Sequence, residues 1–134
     1  RAAARIGGTA LVEPVSGAPR YPLRTAADAV GVIDRVAGET GVGNLGFLCD
    51  LYHLAVNGDD LDRVITTYGD RVAHVQIADA PGRHEPGTGT LDLDRHLGAL
   101  TAAGYRGWVG LEYIPSRTSA DSFAWLPRER RGAA

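Results

Sequence analysis

Residues 74–93 read HVQIADAPGRHEPGTGTLDL, and this segment contains the pattern from which the fold can be predicted. Its first part is an apolar run typical of a strand that is covered on both faces, as in parallel sheets. A loop rich in glycine and proline follows, and Asp92 then stands where the cap of a helix is expected. The segment therefore predicts one strand–loop–helix unit, and its many polar side chains indicate a functional site.

The same unit recurs along the chain. Apolar runs predict strands at about 9–15, 45–51, 72–78 and 108–113. Helical patterns with capping residues and closing glycines lie between them at about 25–41, 59–70 and 91–105. A further short helix is expected at about 119–126, and there is no linker that would divide the chain into domains. The order predicts an α/β fold with a parallel sheet.

Composition restricts the classes of function. With 134 residues, 44% hydrophobic and 22% charged, the sequence is typical of one globular domain or part of a larger one. A net charge of −2 argues against a nucleic-acid or anionic membrane partner. No apolar run reaches the roughly 20 residues of a membrane span. The single cysteine, Cys49, excludes an internal disulfide, fits a reducing, cytoplasmic setting, and is interpreted as a small core residue.

The start of the chain is unusual for a complete protein. It has no initiator methionine, and RAAARIGG resembles the last turns of a helix closed by glycine, before a strand that begins at Thr9. We therefore expect the sequence to be part of a longer protein.

Each predicted strand ends in a polar side chain: Glu13, Asp50, Gln76 and Glu112. The spacings of 37, 26 and 36 residues are close to one βα unit each, so these side chains should meet at the carboxyl edge of the sheet. The alternation of strands places a second set of residues on the same face, one layer deeper: Leu11, Leu48, His74 and Gly110.

Two interpretations of this edge are open. Any one acidic residue at a strand end can be a solvated loop residue or a helix cap. Four in register favour a shared metal site, because three converging carboxylates repel one another unless a cation neutralises them.

The motifs LVEPV, CDLYH, HVQIAD followed by PGRHEPGTG, and GYRGWVGLEY resemble those of the hydroxypyruvate isomerase family, within the xylose isomerase-like TIM barrels. The PGRHEPGTG loop favours that family over ketose 3-epimerases, which generally carry histidine where Gln76 stands. The resemblance implies a (β/α)8 barrel of about twice this length, of which residues 1–134 are the C-terminal half.

The resemblance also implies roles for particular residues. Metal ligands would be Glu13, Asp50, Gln76 and Glu112; proton transfer would fall to Glu13 and Glu112; and substrate oxygens would be held by His53 and Arg83. Apart from the resemblance, we expect His74 and His84 to support these groups. An oxygen-rich ligand set suits Mg²⁺ or Mn²⁺ better than Zn²⁺.

Other polar residues have weaker assignments. For His74, packing in the core is as consistent with the sequence as support of the metal ligands. Glu85 has no assigned role. Asp79 is expected to accept hydrogen bonds within the loop. His96 is expected to be solvated on the helix face opposite the leucines.

The function implied is that of a metal-dependent aldose–ketose type isomerase of carbohydrate and glyoxylate metabolism. It would interconvert hydroxypyruvate and tartronate semialdehyde through an ene-diolate. Alternatives are a related sugar epimerase or oxo-tetronate isomerase, a non-catalytic sugar-binding barrel or inert fragment, and a zinc endonuclease, which would need more histidine ligands and a basic face. The expected partners are a small substrate and either a second copy of the chain or the missing N-terminal half.

Overall fold

The structure, a computed structural model, describes residues 1–130. All four predicted strands are present and form one parallel sheet in the order β1-β2-β3-β4. They are shorter than predicted: β1 is Ala10–Val12, β2 is Leu45–Asp50, β3 is Val72–Ile77 and β4 is Val109–Leu111. Successive strands are direct neighbours, so the carboxyl ends of all four lie along one edge of the sheet.

Within residues 1–130, four α-helices connect and flank the strands. They are α1 Ala26–Thr40, α2 Leu51–Asn57, α3 Leu61–Tyr68 and α4 Leu93–Ala102. Short 3₁₀ turns are formed by Ala3–Ile6, Gly69–Arg71, Asp121–Phe123 and Arg128–Arg130. The helices predicted at about 25–41, 59–70 and 91–105 are confirmed as α1, α3 and α4. The helix expected at about 119–126 is reduced to the turn Asp121–Phe123.

Helix α2 was not predicted, and the strand predicted to reach residue 51 ends one residue earlier. The reason is local. The Asp50 carboxylate accepts hydrogen bonds from the backbone N–H groups of Tyr52 and His53, at 2.8 and 3.1 Å, and so caps a helix that begins directly at Leu51. Gly58, with φ 91°, ends the helix in the left-handed region.

The other helix starts follow from their capping residues. Thr25 and Asp28 form a reciprocal capping box at α1. Asp60 and Asp92 cap α3 and α4 by accepting backbone N–H groups of the first turn. These caps fix where each loop ends and therefore how the carboxyl ends of the strands are connected.

The core lies between the sheet and the helices. Fully buried Phe47, Cys49, Val75 and Ile77 line the helix-facing side of the sheet. Cys49 is confirmed as a core residue, and burial raises the pKa of its thiol to about 12. Val109 and Leu111 continue this face on β4 and remain partly exposed, because β4 is an edge strand.

The prediction that His96 is solvated is wrong. His96 is 5% exposed and lies between α4 and α3, where its Nδ1 is 3.4 Å from Oδ1 of Asp62. Helix α4 therefore packs on α3 through the face that carries His96. His96 lies outside the group of site residues described below.

Residues 1–130 include no helix with the length and apolar character that crossing a membrane requires.

Candidate metal centre

The four side chains predicted at the strand ends occupy one edge of the sheet, which we call the rim: Glu13, Asp50, Gln76 and Glu112. Asp50 and Gln76 are register partners in β2 and β3, and Gln76 is in turn paired with Gly110 of β4. The backbone N–H of Glu112 donates to the carbonyl of Ile77 at 3.1 Å, which holds Glu112 beside the end of β3. A side chain at Gly110 would meet Gln76 and His74 at 3.2 Å, so glycine leaves room for both.

The sheet is curved enough to bring its two outer strands together at the rim. Single ligand atoms of Glu13, Asp50, His53 and Glu112 all lie within 4.8 Å of one another. Glu13 follows β1 and Glu112 follows β4, at opposite edges of the sheet. Such convergence is the geometry of a barrel wall.

The rim contains oxygens without a protein partner. Among residues 1–130, each predicted ligand contributes one buried side-chain oxygen that makes no hydrogen bond: Oε1 of Glu13, Oδ2 of Asp50, Oε1 of Gln76 and Oε2 of Glu112. An unpaired buried oxygen is costly, and this edge of the sheet holds three such carboxylate oxygens and one such amide oxygen. A divalent cation would satisfy all four, so these residues fit a metal centre of the kind that oxygen-binding ions occupy.

Asp50 links this centre to the fold. Its Oδ1 caps α2, whereas its Oδ2 is the oxygen left free at the rim. The side chain is fully buried. One carboxylate therefore fixes the start of α2 and presents an oriented oxygen to the centre.

The electrostatics of the rim favour protonation of its glutamates while no cation is bound. Burial, followed by the negative charges of Asp50 and Glu112, raises the pKa of Glu13 to about 7. Burial and the adjacent Asp50 carboxylate also raise the pKa of Glu112 above its ordinary value. The nearby Arg83 guanidinium opposes both shifts. Protons and a metal ion would therefore compete for these carboxylates.

His53 lies next to the rim, in the first turn of α2. The residue is 4% exposed, and its Nε2 is 4.0 Å from both Oε1 of Glu13 and Oδ2 of Asp50. Its Nδ1 contacts Ser16, whose backbone N and Oγ lie at 3.1 and 2.7 Å. Burial and the positive charge of Arg83 lower the pKa of His53, which keeps the ring neutral.

Arg83 reaches the rim from the loop after β3. Its Nη2 is 3.2 Å from Oε1 of Glu112, and its Nε donates to the Glu112 carbonyl at 3.3 Å. The guanidinium also lies over the ring of Tyr52, 5.4 Å from the ring centre. Arg83 adopts φ 58°, an uncommon conformation for a non-glycine residue, so the surrounding loop must hold it in place.

Asp79 holds that loop together, as the sequence predicted. Its buried carboxylate accepts four backbone N–H groups, from Ala80, Gly87, Gly89 and Leu91, at 2.9 to 3.0 Å. A Cβ at residue 89 would collide with the Ala80 carbonyl and with Asp79. The carboxylate thus closes the loop on itself around glycines that permit the close approach.

His84 and Glu85 connect the same loop to the segment after β4. Nδ1 of His84 lies 2.7 Å from the carbonyl of Ile114. Both carboxylate oxygens of Glu85 accept hydrogen bonds from Ser116, at 2.9 Å from its N and 2.5 Å from its Oγ. These contacts place the Arg83 loop against the residues that follow Glu112. His74 lies beneath Gln76 on the rim side of β3, partly buried.

Sequence reasoning missed three residues near the rim. Ser16 contacts His53, Tyr52 packs under Arg83, and Tyr21 donates from its hydroxyl to the Glu13 carbonyl at 2.9 Å. Tyr52 falls within the quoted CDLYH motif, which is a signal that could have found it. Ser16 and Tyr21 lie in an irregular loop, where no periodicity indicates a contact.

Comparison with known proteins agrees with this geometry. Residues 1–129 match the family described as xylose isomerase-like TIM barrel, and the chain belongs to that family. The four parallel βα units are consistent with the C-terminal half of a (β/α)8 barrel.

Two curated relatives and one solved structure are similar to most of this chain. A Streptomyces coelicolor protein, whose name assigns it provisionally as a hydroxypyruvate isomerase, is 55% identical and is matched over 99% of this chain and 49% of its own length. The hydroxypyruvate isomerase of Escherichia coli is 35% identical over 87% of this chain and 44% of its own. The crystal structure of an AP endonuclease, family 2, from Brucella melitensis superimposes with a TM-score of 0.83 at 39% identity, over 91% of this chain and 46% of that one. The chain thus spans about half the length of the relatives it matches.

Proposed function

We propose that the protein is an isomerase of a small hydroxy-oxo acid, interconverting hydroxypyruvate and tartronate semialdehyde. The observation that carries the proposal is the set of four partnerless rim oxygens beside the guanidinium of Arg83. The similarity to hydroxypyruvate isomerases supports the same substrate class.

The reaction needs a proton to move between neighbouring carbons. A base removes a proton from the hydroxymethyl carbon of hydroxypyruvate, an ene-diolate forms, and an acid returns a proton to the former carbonyl carbon. Glu13 and Glu112 are suited to these steps because their raised pKa values bring them towards neutral pH. They extend from opposite edges of the sheet, so they can approach the substrate from two sides.

Glu13, Asp50, Gln76 and Glu112 would hold a divalent ion, Mg²⁺ or Mn²⁺, through their free oxygens. When bound, such an ion stabilises negative charge that develops on substrate oxygens. Asp50 is held in position by the backbone N–H groups that it caps, so its free oxygen would be presented to the ion in a fixed orientation. Gln76 adds an oxygen without adding a fourth negative charge.

Arg83 and His53 would bind the rest of the substrate. The planar guanidinium of Arg83 can form two parallel hydrogen bonds with a carboxylate, such as that of hydroxypyruvate. His53, neutral and buried, would contribute one hydrogen bond to a substrate oxygen. Substrate binding at Arg83 would compete with its contact to Glu112 and so release that carboxylate for proton transfer.

A nuclease function, like that named for the Brucella melitensis protein, has less support. The rim among residues 1–130 offers three carboxylates and one amide, with His53 as the single histidine in the group, whereas a zinc cluster needs more histidine ligands. The net charge of −2 provides no general attraction for DNA.

The test is turnover by the protein at the full length that its gene encodes. Hydroxypyruvate is incubated with Mg²⁺ or Mn²⁺ in D₂O, and NMR follows the formation of tartronate semialdehyde and the entry of deuterium at carbon. We expect both, with weaker activity on neutral ketoses and no cleavage of abasic DNA. Faster turnover of ketoses or oxo-tetronates would replace the proposed substrate, and no isomerisation of any of these compounds would refute the proposal.

A further inference from the structure

The ring of His53 has two distinct environments. Its Nε2 faces the rim, 4.0 Å from the carboxylates of Glu13 and Asp50, and its Nδ1 faces Ser16. The ring of Tyr52 packs edge-on against it, with centres 5.4 Å apart. The imidazole is therefore held from several sides in one orientation.

The contact with Ser16 determines which nitrogen carries the proton. A backbone N–H can only donate, and that of Ser16 lies 3.1 Å from Nδ1 with geometry suited to a hydrogen bond. Nδ1 must therefore accept and carries no proton. The Ser16 hydroxyl, 2.7 Å away, then acts as a second donor to Nδ1. The single proton of the neutral ring is left on Nε2, on the side that faces the rim.

We infer that Ser16 is a positioning residue, which fixes His53 as the neutral Nε2–H tautomer and so presents a hydrogen-bond donor to a substrate oxygen between Glu13 and Asp50. The role of this donor in turnover rests on the function proposed above, whereas the tautomer itself does not. Because protonated Nε2 has no free lone pair, His53 does not ligate a metal ion, although it lies within the same cluster. The buried oxygen of Gln76 then remains as the fourth ligand.

Ser16 is placed for this role by the loop after β1. That loop carries Glu13 and Ser16 three residues apart, and both face His53, which belongs to the next βα unit. The Ser16–His53 contact thus connects two neighbouring units at the rim, and one loop positions both a rim carboxylate and the histidine beside it.

NMR of the protein at the full length that its gene encodes, labelled with ¹⁵N-histidine, tests the tautomer directly. Long-range proton–nitrogen spectra distinguish Nε2–H from Nδ1–H, and the His53→Gln variant identifies the His53 signals. We expect the Nε2–H form in the metal-free protein, and we expect its Nε2 proton to remain when Mg²⁺ is added to saturation. An Nδ1–H ring, or loss of the Nε2 proton on adding Mg²⁺, would overturn the inference.

Variants test the positioning role. Ser16→Ala removes the hydroxyl donor but keeps the backbone N–H, so the Nε2–H form should remain the major one, with the Nδ1–H form now detectable beside it. The rate kcat should fall about three- to tenfold, the effect of losing one hydrogen bond, while Mn²⁺ affinity stays unchanged. Ser16→Thr keeps the hydroxyl and should restore the single tautomer and the rate. A Ser16→Ala spectrum identical to that of the wild type would contradict the positioning role of Ser16. So would a loss of Mn²⁺ affinity as large as the loss of kcat. If Ser16→Ala does not fold, the wild-type and Ser16→Thr spectra still show which tautomer His53 adopts. Absence of hydroxypyruvate turnover by the wild type would refute the proposed function and leave the tautomer result standing.

Discussion

The guanidinium of Arg83 lies 3.2 Å from the carboxylate of Glu112, and this ion pair joins the loop after β3 to the residue that follows β4. The same two segments are also connected by the backbone N–H of Ile114, which donates to the Arg83 carbonyl at 2.7 Å. Arg83 is therefore fixed through its backbone, while its side chain contacts a carboxylate that a substrate carboxylate could displace.

Replacing Arg83 by lysine should distinguish acid from neutral substrates. Lysine keeps the positive charge but loses the planar guanidinium, which can form two parallel hydrogen bonds. The loss of transition-state stabilisation for hydroxypyruvate, calculated from the decrease in kcat/KM, should be roughly 1–3 kcal/mol. A neutral ketose should be affected much less. Steady-state kinetics on both substrates measure the difference, with exposed Arg35→Lys as the control. Equal losses on the two substrates would mean that Arg83 shapes the loop without recognising the carboxylate.

Replacing Glu112 by glutamine should separate proton transfer from metal binding. The amide keeps an oxygen at the rim but cannot exchange a proton, so kcat should fall about 10²-fold or more. Mn²⁺ affinity, measured by calorimetry, should fall by a smaller factor, and the melting temperature should stay close to that of the wild type. Exposed Glu39→Gln is the matched control. Near-normal turnover would remove Glu112 from the mechanism.

Divalent metal binding should depend on pH. Burial and the neighbouring carboxylates raise the pKa of Glu13 to about 7, so near neutral pH a metal ion must displace a proton from the metal-free rim. Mn²⁺ affinity should therefore increase between about pH 6 and 8 and level off above, once Glu13 is ionised. Calorimetry in buffers of different ionisation enthalpy counts the protons released. Affinity that stays constant over this range, without proton release, would show that Glu13 carries no proton that the metal ion must displace.

Chelation provides an independent check of the same centre. Removal of divalent ions should abolish turnover, and Mg²⁺ or Mn²⁺ should restore it better than Ca²⁺, whose larger and more flexible coordination shell holds ligands less firmly. Activity that survives exhaustive chelation would contradict the four-ligand interpretation of the rim.

The rim could be predicted from sequence because strand geometry is regular. The period of two along a strand and the length of a βα unit together place one polar residue at each strand end, and the Asp50–Gln76 register pair agrees with this expectation. Asp79 was also predictable, since aspartate before a loop rich in glycine and proline commonly accepts its backbone N–H groups.

Helix α2, the position of His96 and the Ser16–His53 contact could not be predicted from the sequence. A continuous apolar run cannot distinguish the end of a strand from the start of a buried helix, so α2 was missed and the strand was extended past Asp50. His96 was misplaced because the packing of α4 on α3 is not encoded in the periodicity of either helix. The Ser16–His53 contact joins residues 37 positions apart through an irregular loop, so no local pattern indicates it.

Replacing Asp79 by asparagine should destabilise the Arg83 loop. The carboxylate accepts four backbone N–H groups, whereas an amide offers one oxygen and directs its NH₂ towards the remaining donors. Each buried donor left unpaired should cost about 1–3 kcal/mol, which urea denaturation measures. Exposed Asp94→Asn, on the first turn of α4, should change stability by less than about 0.5 kcal/mol. A variant as stable as the wild type would show that the loop does not depend on this carboxylate.

Strands β1 and β4 are the outer strands of the sheet, and apolar side chains on or beside them are exposed: Leu11 by 43%, Leu111 by 40% and Trp108 by 74%. An open parallel edge with apolar flanks is a template for pairing with another chain. The 134-residue chain, produced alone, should therefore self-associate and have little or no turnover.

Size-exclusion chromatography with light scattering, and turnover measured on the same fractions, tests this expectation. Species larger than the 14.1 kDa monomer should dominate and should decrease when Leu111→Lys places a charge on β4, because charged edge strands resist pairing. Thr101→Lys, on an exposed face of α4, is the control and should leave association unchanged. A stable and active monomer would show that the rim carried by these four strands already forms a complete site, and that the exposed edges need no partner.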